Sequence, residues 1–154
     1  MIKINVISNN ILWNKYVKNP KLFINEKVKL INKKNTIYKK NIFTCTLLLS
    51  GTKEIKQLNK KFRNKNKSTD VLSFPFYEKK HLIKIINNEK EIYLGDIIIN
   101  LNKVKNKTNK KLFREQFNKL WIHGLLHLFG YTHKKNREFL VMQKLEHKFF
   151  MVLK

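Results

Sequence analysis

Residues 111–133 read KLFREQFNKLWIHGLLHLFGYTH, and this stretch decides the fold. Phe113, Phe117, Leu120, Trp121, Gly124, Leu125 and Leu128 recur with a period of 3.6 and lay one wide apolar face along a helix. His123 and His127 stand four residues apart, so both imidazoles project from one side of that helix. Gly130 is placed to end it as a C′ glycine in a left-handed conformation. The chain can then swing His133 back toward the same point. Three neutral imidazoles converging in this way make a metal site with an open fourth position, the pattern of catalytic zinc. One histidine on an apolar helix reads as a core residue; three at this spacing do not.

Around this helix the period changes repeatedly. Ile2-Lys3-Ile4-Asn5-Val6 alternates as a half-buried strand does, and Asn9-Asn10 breaks it. A loosely amphipathic helix is expected from about Pro20 to Lys34. Ile42 to Leu49 reads as a buried strand closed by Ser50-Gly51-Thr52. Ile55, Leu58 and Phe62 then predict a helix, with Ser50 or Thr52 as N-cap. After the polar loop 64–68, Thr69 to Phe76 reads as a strand in which Pro75 prefers an edge. His81 to Glu91 reads as a loose hairpin or loop insertion, and Leu94 to Asn100 as a strand entered through Gly95. A last helix is expected over Arg137 to Val152. No repeat, linker or composition break divides the chain, so residues 1–154 are expected to form a single domain. The interleaving predicts an α+β fold: one small sheet of about four strands flanked by helices, with a zincin-like metal-binding helix.

The chain carries 34 Lys plus Arg against 10 Asp plus Glu, a formal net charge of +24, and 42% hydrophobic residues. That apolar content supports a core and argues against a disordered basic tail. A single cysteine, Cys45, excludes a disulfide framework and a cysteine-cluster zinc site. No apolar run approaches the roughly 20 residues of a membrane helix. Met1 to Ile11 does not have the form of a secretory signal, so the expected compartment is the cytoplasm. The basic residues are 31 Lys and only 3 Arg, beside 20 Asn and no Ala. Such skew is what an AT-rich genome produces, so part of the charge reflects composition. The physical consequence stands: the chain attracts polyanions.

The spacing H-x₃-H-x₂-G-x₂-H is that of the metzincin proteases, which carry a Glu base directly after the first histidine. Here that position is Gly124, and the peptidase base is missing. His123 to His133 instead resembles the signature of the bacterial YbeY-type endoribonucleases, the rRNA maturation factors, written H-G-x-L-H-L-x-G-Y-D-H. Two further blocks resemble the same family: Leu58-Asn59, Phe62-Arg63 and Ser68 to Phe76 match its L-N-x-x-[YF]-R…TDVLSFPF block, and Leu94 to Ile99 matches its LGDI strand. The resemblance covers roughly residues 40–150. It implies a sheet flanked by helices and one zinc ion held by His123, His127 and His133. It also implies a single-strand-specific endoribonuclease acting in 16S rRNA 3′-end maturation and ribosome quality control. The partners implied are RNA of the small ribosomal subunit and ribosome-assembly proteins, with no membrane.

The family's functional arginine falls on Arg63. The residue type supports it independently, because a guanidinium forks onto two phosphate oxygens where an ammonium does not. Thr132 departs from the family's Asp before the third histidine; it can hydrogen-bond but cannot take a proton at neutral pH, so it suits at most a supporting role beside the ligands. Asp70 and Asp96, at expected strand starts, read as turn and backbone caps. Phe74 and Phe76 are expected to pack in the core, with base stacking on an exposed strand face as the alternative. Glu115 lies off the ligand face, His81 and His147 read as surface residues, and Tyr131 as packing beside the helix end. The expectation is a zinc-dependent endoribonuclease. Its rivals are a metzincin-like metalloprotease and a non-catalytic, zinc-containing ribosome-assembly factor.

Overall fold

The computed structural model describes residues 1–8, 10–34 and 40–153; Asn9 of the Asn9-Asn10 break lies outside them. In chain order the elements are β1 (Ile2–Ser8), α1 (Trp13–Tyr16), α2 (Pro20–Lys34), β2 (Ile42–Ser50), α3 (Thr52–Arg63), β3 (Val71–Pro75), α4 (Lys79–Asn88), β4 (Glu91–Asn100), a 3₁₀ turn at Leu101–Lys103, α5 (Lys110–Leu128) and α6 (Asn136–Val152). The four strands form one sheet in the order β1-β2-β4-β3. β1, β2 and β4 run parallel, and β3 pairs antiparallel with β4 along one edge. Parallel neighbours need long crossovers: α2 lies between β1 and β2, and α3, β3 and α4 lie between β2 and β4. Pro75 sits on the edge strand, where its missing N–H costs no ladder bond.

The sheet has a thick side and a thin side. Leu47, Leu49, Ile97 and Ile99 join the main core with Phe113, Phe117, Trp121 and Leu125 of α5. Trp13 of the short helix α1, an element the periodicity does not reveal, is fully buried there. Its ring lies 5.1 Å from Phe117 and its Nε1 donates to the Ser50 carbonyl at 3.2 Å. On the opposite face Ile55 of α3 packs with Leu72 and Ile98 in a much smaller cluster.

Four expectations need correction. Residues 79–88 form the helix α4, not a hairpin or loop. Leu82 alone is buried in it, with Ile85 and Ile86 partly covered, so its apolar stripe is narrow and reads as scattered. Asn41 holds its end by donating from Nδ2 to the carbonyls of Ile86 and Glu89 at 2.9 and 2.7 Å. Gly95 lies inside β4 and not at its entrance. The register passes from Thr44↔Tyr93 to Thr46↔Asp96, so β4 carries one residue more than β2 there. Gly95 takes φ +126° at this bulge, and a Cβ on it would stand 2.1 Å from the Phe74 carbonyl oxygen. At α3 the N-cap is Gly51. Ser50 bonds the Glu54 carboxylate and Thr52 donates to Asn100 Oδ1, so neither caps the helix. Asp96 is likewise mid-strand and accepts the Tyr93 hydroxyl at 2.6 Å, while Asp70 caps the Val71 N–H at 2.9 Å as expected. Among the described residues, no helix is long and apolar enough to cross a membrane.

Gly95→Ala is expected to lower stability by about 3 kcal/mol through strain and clash, read as a fall in the urea midpoint; an unchanged midpoint would contradict the bulge. Burial first, then the Asp96 charge, pushes the Cys45 thiol up to about 12. Folding therefore favours the protonated thiol, a contribution present in full below about pH 9 and lost as pH rises toward 12. At neutral pH a thiol reagent should label Cys45 only at the rate of unfolding.

Candidate metal centre

The site is built by the end of α5. Phe129 closes the helix, and Gly130 follows at φ +80°. The Gly130 N–H donates to the His127 carbonyl at 2.9 Å and the Tyr131 N–H to the Leu126 carbonyl at 3.1 Å. These are the paired bonds of a Schellman turn, which satisfies the last carbonyls and reverses the chain. The reversal brings His133 back beside the two helical histidines, and ligand atoms of His123, His127 and His133 all lie within 4.8 Å of one another. The ring centroids are 4.5 Å apart for His123 and His127, 5.1 Å for His127 and His133, and 5.4 Å for His123 and His133.

Hydrogen bonds on the far side of two rings set their tautomers. His127 Nδ1 lies 2.8 Å from the Tyr131 carbonyl oxygen, which can only accept, so the proton is on Nδ1. His123 Nδ1 lies 2.5 Å from the Glu146 carboxylate of α6, with the same consequence. Each Nε2 then carries a lone pair, and the two Nε2 atoms face each other at 3.0 Å. Two nitrogens this close share either a proton or a metal cation, and the third histidine alongside makes a position that could hold a metal. Tetrahedral zinc, with Zn–N near 2.0–2.1 Å, sets ligand nitrogens about 3.3 Å apart. Burial first, then the neighbouring His123, pulls the His127 pKa down to about 4. His127 is therefore neutral at pH 7, the form that ligates a metal. The donor set fits a zinc-type ion.

Gly124 sits between the two helical ligands, against the sheet. A Cβ there would lie 2.7 Å from Ile97 Cγ2 and 3.2 Å from Ser73 Oγ. This close approach explains a glycine that costs a helix roughly 1 kcal/mol. It also leaves no room for the carboxylate that a zincin peptidase carries at this position.

Arg63 ends α3. Its Nη2 donates to the Ser73 carbonyl at 3.0 Å, and its guanidinium lies 5.8 Å from the Phe74 ring centroid. Ser73 thus touches Arg63 on one side and faces Gly124 on the other, and the Arg63 charge is among the causes lowering the His127 pKa. Thr132 donates its hydroxyl to the Glu138 carboxylate, which that bond holds below its usual range. Tyr131 is partly buried beside the helix end, and His81 and His147 are exposed, as expected. A cleft of about 540 Å³ opens beside His123, lined among others by Asp70, Lys119, Gln143, Glu146 and His147. Phe74 is half-buried and Phe76 is 64% exposed; the expected core packing fails for Phe76 because it lies past the end of β3, beyond the cover of α3. Glu146 is the functional residue that periodicity missed. Its signal was present: it stands four residues after Met142 and three before Phe149, both buried, so its carboxylate shares the inward stripe of α6.

A sequence model of the family described as Endoribonuclease YbeY matches residues 9–154. The chain is 46% identical to the Endoribonuclease YbeY of Pelagibacter ubique, over 100% of this chain and 97% of that protein. It is 40% identical to the protein of the same name from Buchnera aphidicola subsp. Acyrthosiphon pisum, over 75% of this chain and 71% of the relative. The solution structure of TM1509 from Thermotoga maritima superposes with a TM-score of 0.59 at 24% identity, covering 97% of this chain and 88% of that one. That likeness shows the fold.

One metal ion per chain is expected from metal analysis of the purified protein, falling close to zero in His127→Ala; stoichiometric metal in that variant would sink the site. Glu146→Gln should keep the fold and weaken metal affinity about 10–100-fold, the usual cost of losing a ligand's orienting partner, as measured by chelator competition.

Proposed function

Because this chain belongs to the Endoribonuclease YbeY family, we propose that it is a zinc-dependent, single-strand-specific endoribonuclease acting in the cytoplasm on 16S rRNA 3′ ends and in ribosome quality control. The observation that carries the metal part is the pair of Nε2 lone pairs facing at 3.0 Å, with His133 completing the set. Three protein ligands leave a coordination position open, where a structural zinc normally has four. When bound, zinc supplies a Lewis acid for a phosphoryl oxygen and lowers the pKa of water. The protein holds this centre in place: the Glu146 carboxylate and the Tyr131 carbonyl fix the rings of His123 and His127.

Arg63 supplies the second element. One of its N–H groups is spent on Ser73, and the others are free to fork onto phosphate oxygens and offset the charge that builds there. The lysine-rich surface holds the RNA backbone without reading its sequence. Small-subunit rRNA is the substrate this reading names, with ribosome-assembly proteins as its companions.

Purified protein incubated with rRNA carrying an unprocessed 3′ end should cleave it, lose activity on chelation and regain it with added zinc. Cleavage indifferent to chelator would overturn the metal role. Arg63→Ala should cut the cleavage rate about 100-fold or more while leaving bound metal unchanged.

A further inference from the structure

The thin side of the sheet carries several rings that the described residues leave exposed. Phe62 and Phe76 are 59% and 64% exposed, and Tyr93 is 37% exposed. Phe62 meets Phe74 at 5.3 Å and 62°; Phe76 meets Tyr77 at 4.9 Å and 83°, and Tyr93 at 5.9 Å and 71°. Phe76 belongs to both of the last two contacts and is the most exposed of these rings. The rings are held firmly all the same: the Tyr93 hydroxyl donates to Asp96 at 2.6 Å and is bonded by Thr46 at 3.1 Å. Two of the rings already carry a cation on one face: Lys61 Nζ lies over the Phe62 ring, 5.3 Å from its centroid, and the Arg63 guanidinium over the Phe74 ring at 5.8 Å. Exposed rings gathered on one side of a sheet mark an interaction surface. Phe74 leads from Phe62 toward the metal centre: Arg63 lies over its ring and donates to the Ser73 carbonyl, and Ser73 Oγ faces position 124 of α5.

We propose that Phe62, Phe76 and Tyr93 form a stacking platform for the unpaired bases of a single RNA strand, whose phosphates Lys61 and Arg63 hold as the strand passes toward the three histidines. Open aromatic faces beside cations match a ligand made of flat rings on an anionic backbone, and base stacking tolerates any sequence. Paired bases hide their faces inside the duplex, so the platform selects single strands by what they expose. An acidic protein segment would satisfy the lysines but would leave the ring faces unused. The proposal rests on the nuclease reading above and supplies its source of strand selectivity.

The test is binding by the full chain in chelator, without cleavage, to three labelled probes of equal length at one salt concentration: oligoadenylate, an abasic ribose-phosphate oligomer and a blunt RNA duplex. Oligoadenylate should bind at least tenfold tighter than the abasic oligomer. Phe76→Ala should weaken adenylate binding about tenfold and leave the abasic and duplex affinities unchanged, and Phe76→Trp should restore it. Equal affinity for adenylate and abasic probes, or no effect of Phe76→Ala in a variant whose circular dichroism matches the parent, would overturn the platform. Polyglutamate binding that falls in Phe76→Ala as far as adenylate binding does would assign the surface to an acidic protein instead. Base-dependent binding without any cleavage in zinc would sink the nuclease reading alone. Cleavage with base-independent binding would sink the platform alone.

Discussion

Helix α5 lies so close to β3 and β4 that a single methyl group at position 124 would meet Ile97 Cγ2 at 2.7 Å. The site depends on this approach. Residues 123 and 127 flank position 124 on the helix, so the depth at which α5 seats on the sheet sets where their imidazoles stand. The same approach places Ser73 of β3 under the helix and lets its carbonyl hold Arg63 from the other side of the strand edge. One close packing contact therefore relates the three histidines to the arginine. It also accounts for the absence of a peptidase base, since the position that would carry one is occupied by the sheet.

The second constraint is orientation. A histidine offers a metal either nitrogen, and the hydrogen bond on the other nitrogen selects which. Here a backbone carbonyl from the Schellman turn and a carboxylate from α6 make that selection for two ligands. The turn thus has two uses, returning His133 to the site and presenting the Tyr131 carbonyl to His127. Thr132, in the same turn, is engaged with Glu138 and ties the return to the first turn of α6.

The sheet's asymmetry explains how so basic a chain can be selective. Lysines spread over the surface attract any polyanion, and their number reflects composition as much as ligand. Arg63 and the rings around it are different in kind, because they lie on the sheet's thinner side, where α3 packs. On the proposed reading, their geometry would distinguish what the charge cannot: a phosphate at a defined position, and a base free of its partner.

Much of this was legible in the sequence, for identifiable reasons. The strands 2–6 and 42–49, the helices near 20–34 and 137–152, and the whole of α5 with its glycine stop announce themselves through local periodicity and capping chemistry, which act over one or two turns. The histidine spacing works at the same range, so the ligand set was readable without a fold. Helix α4 was not, because one buried leucine and two half-covered isoleucines make too narrow a stripe to rise above the surrounding lysines and asparagines. Gly95 looked like a strand entrance because a bulge is a property of two strands in register, invisible in one. The pairing of Glu146 with His123 joins residues 23 apart, and the exposure of Phe76 depends on where α3 stops. The sequence by itself determined most of the elements and the spacing of the three histidines, since these arise from neighbours along the chain. Only the tertiary structure decided which nitrogen faces the metal site, why position 124 must be glycine and which rings remain open, since those depend on surfaces that meet only when the sheet and its helices pack.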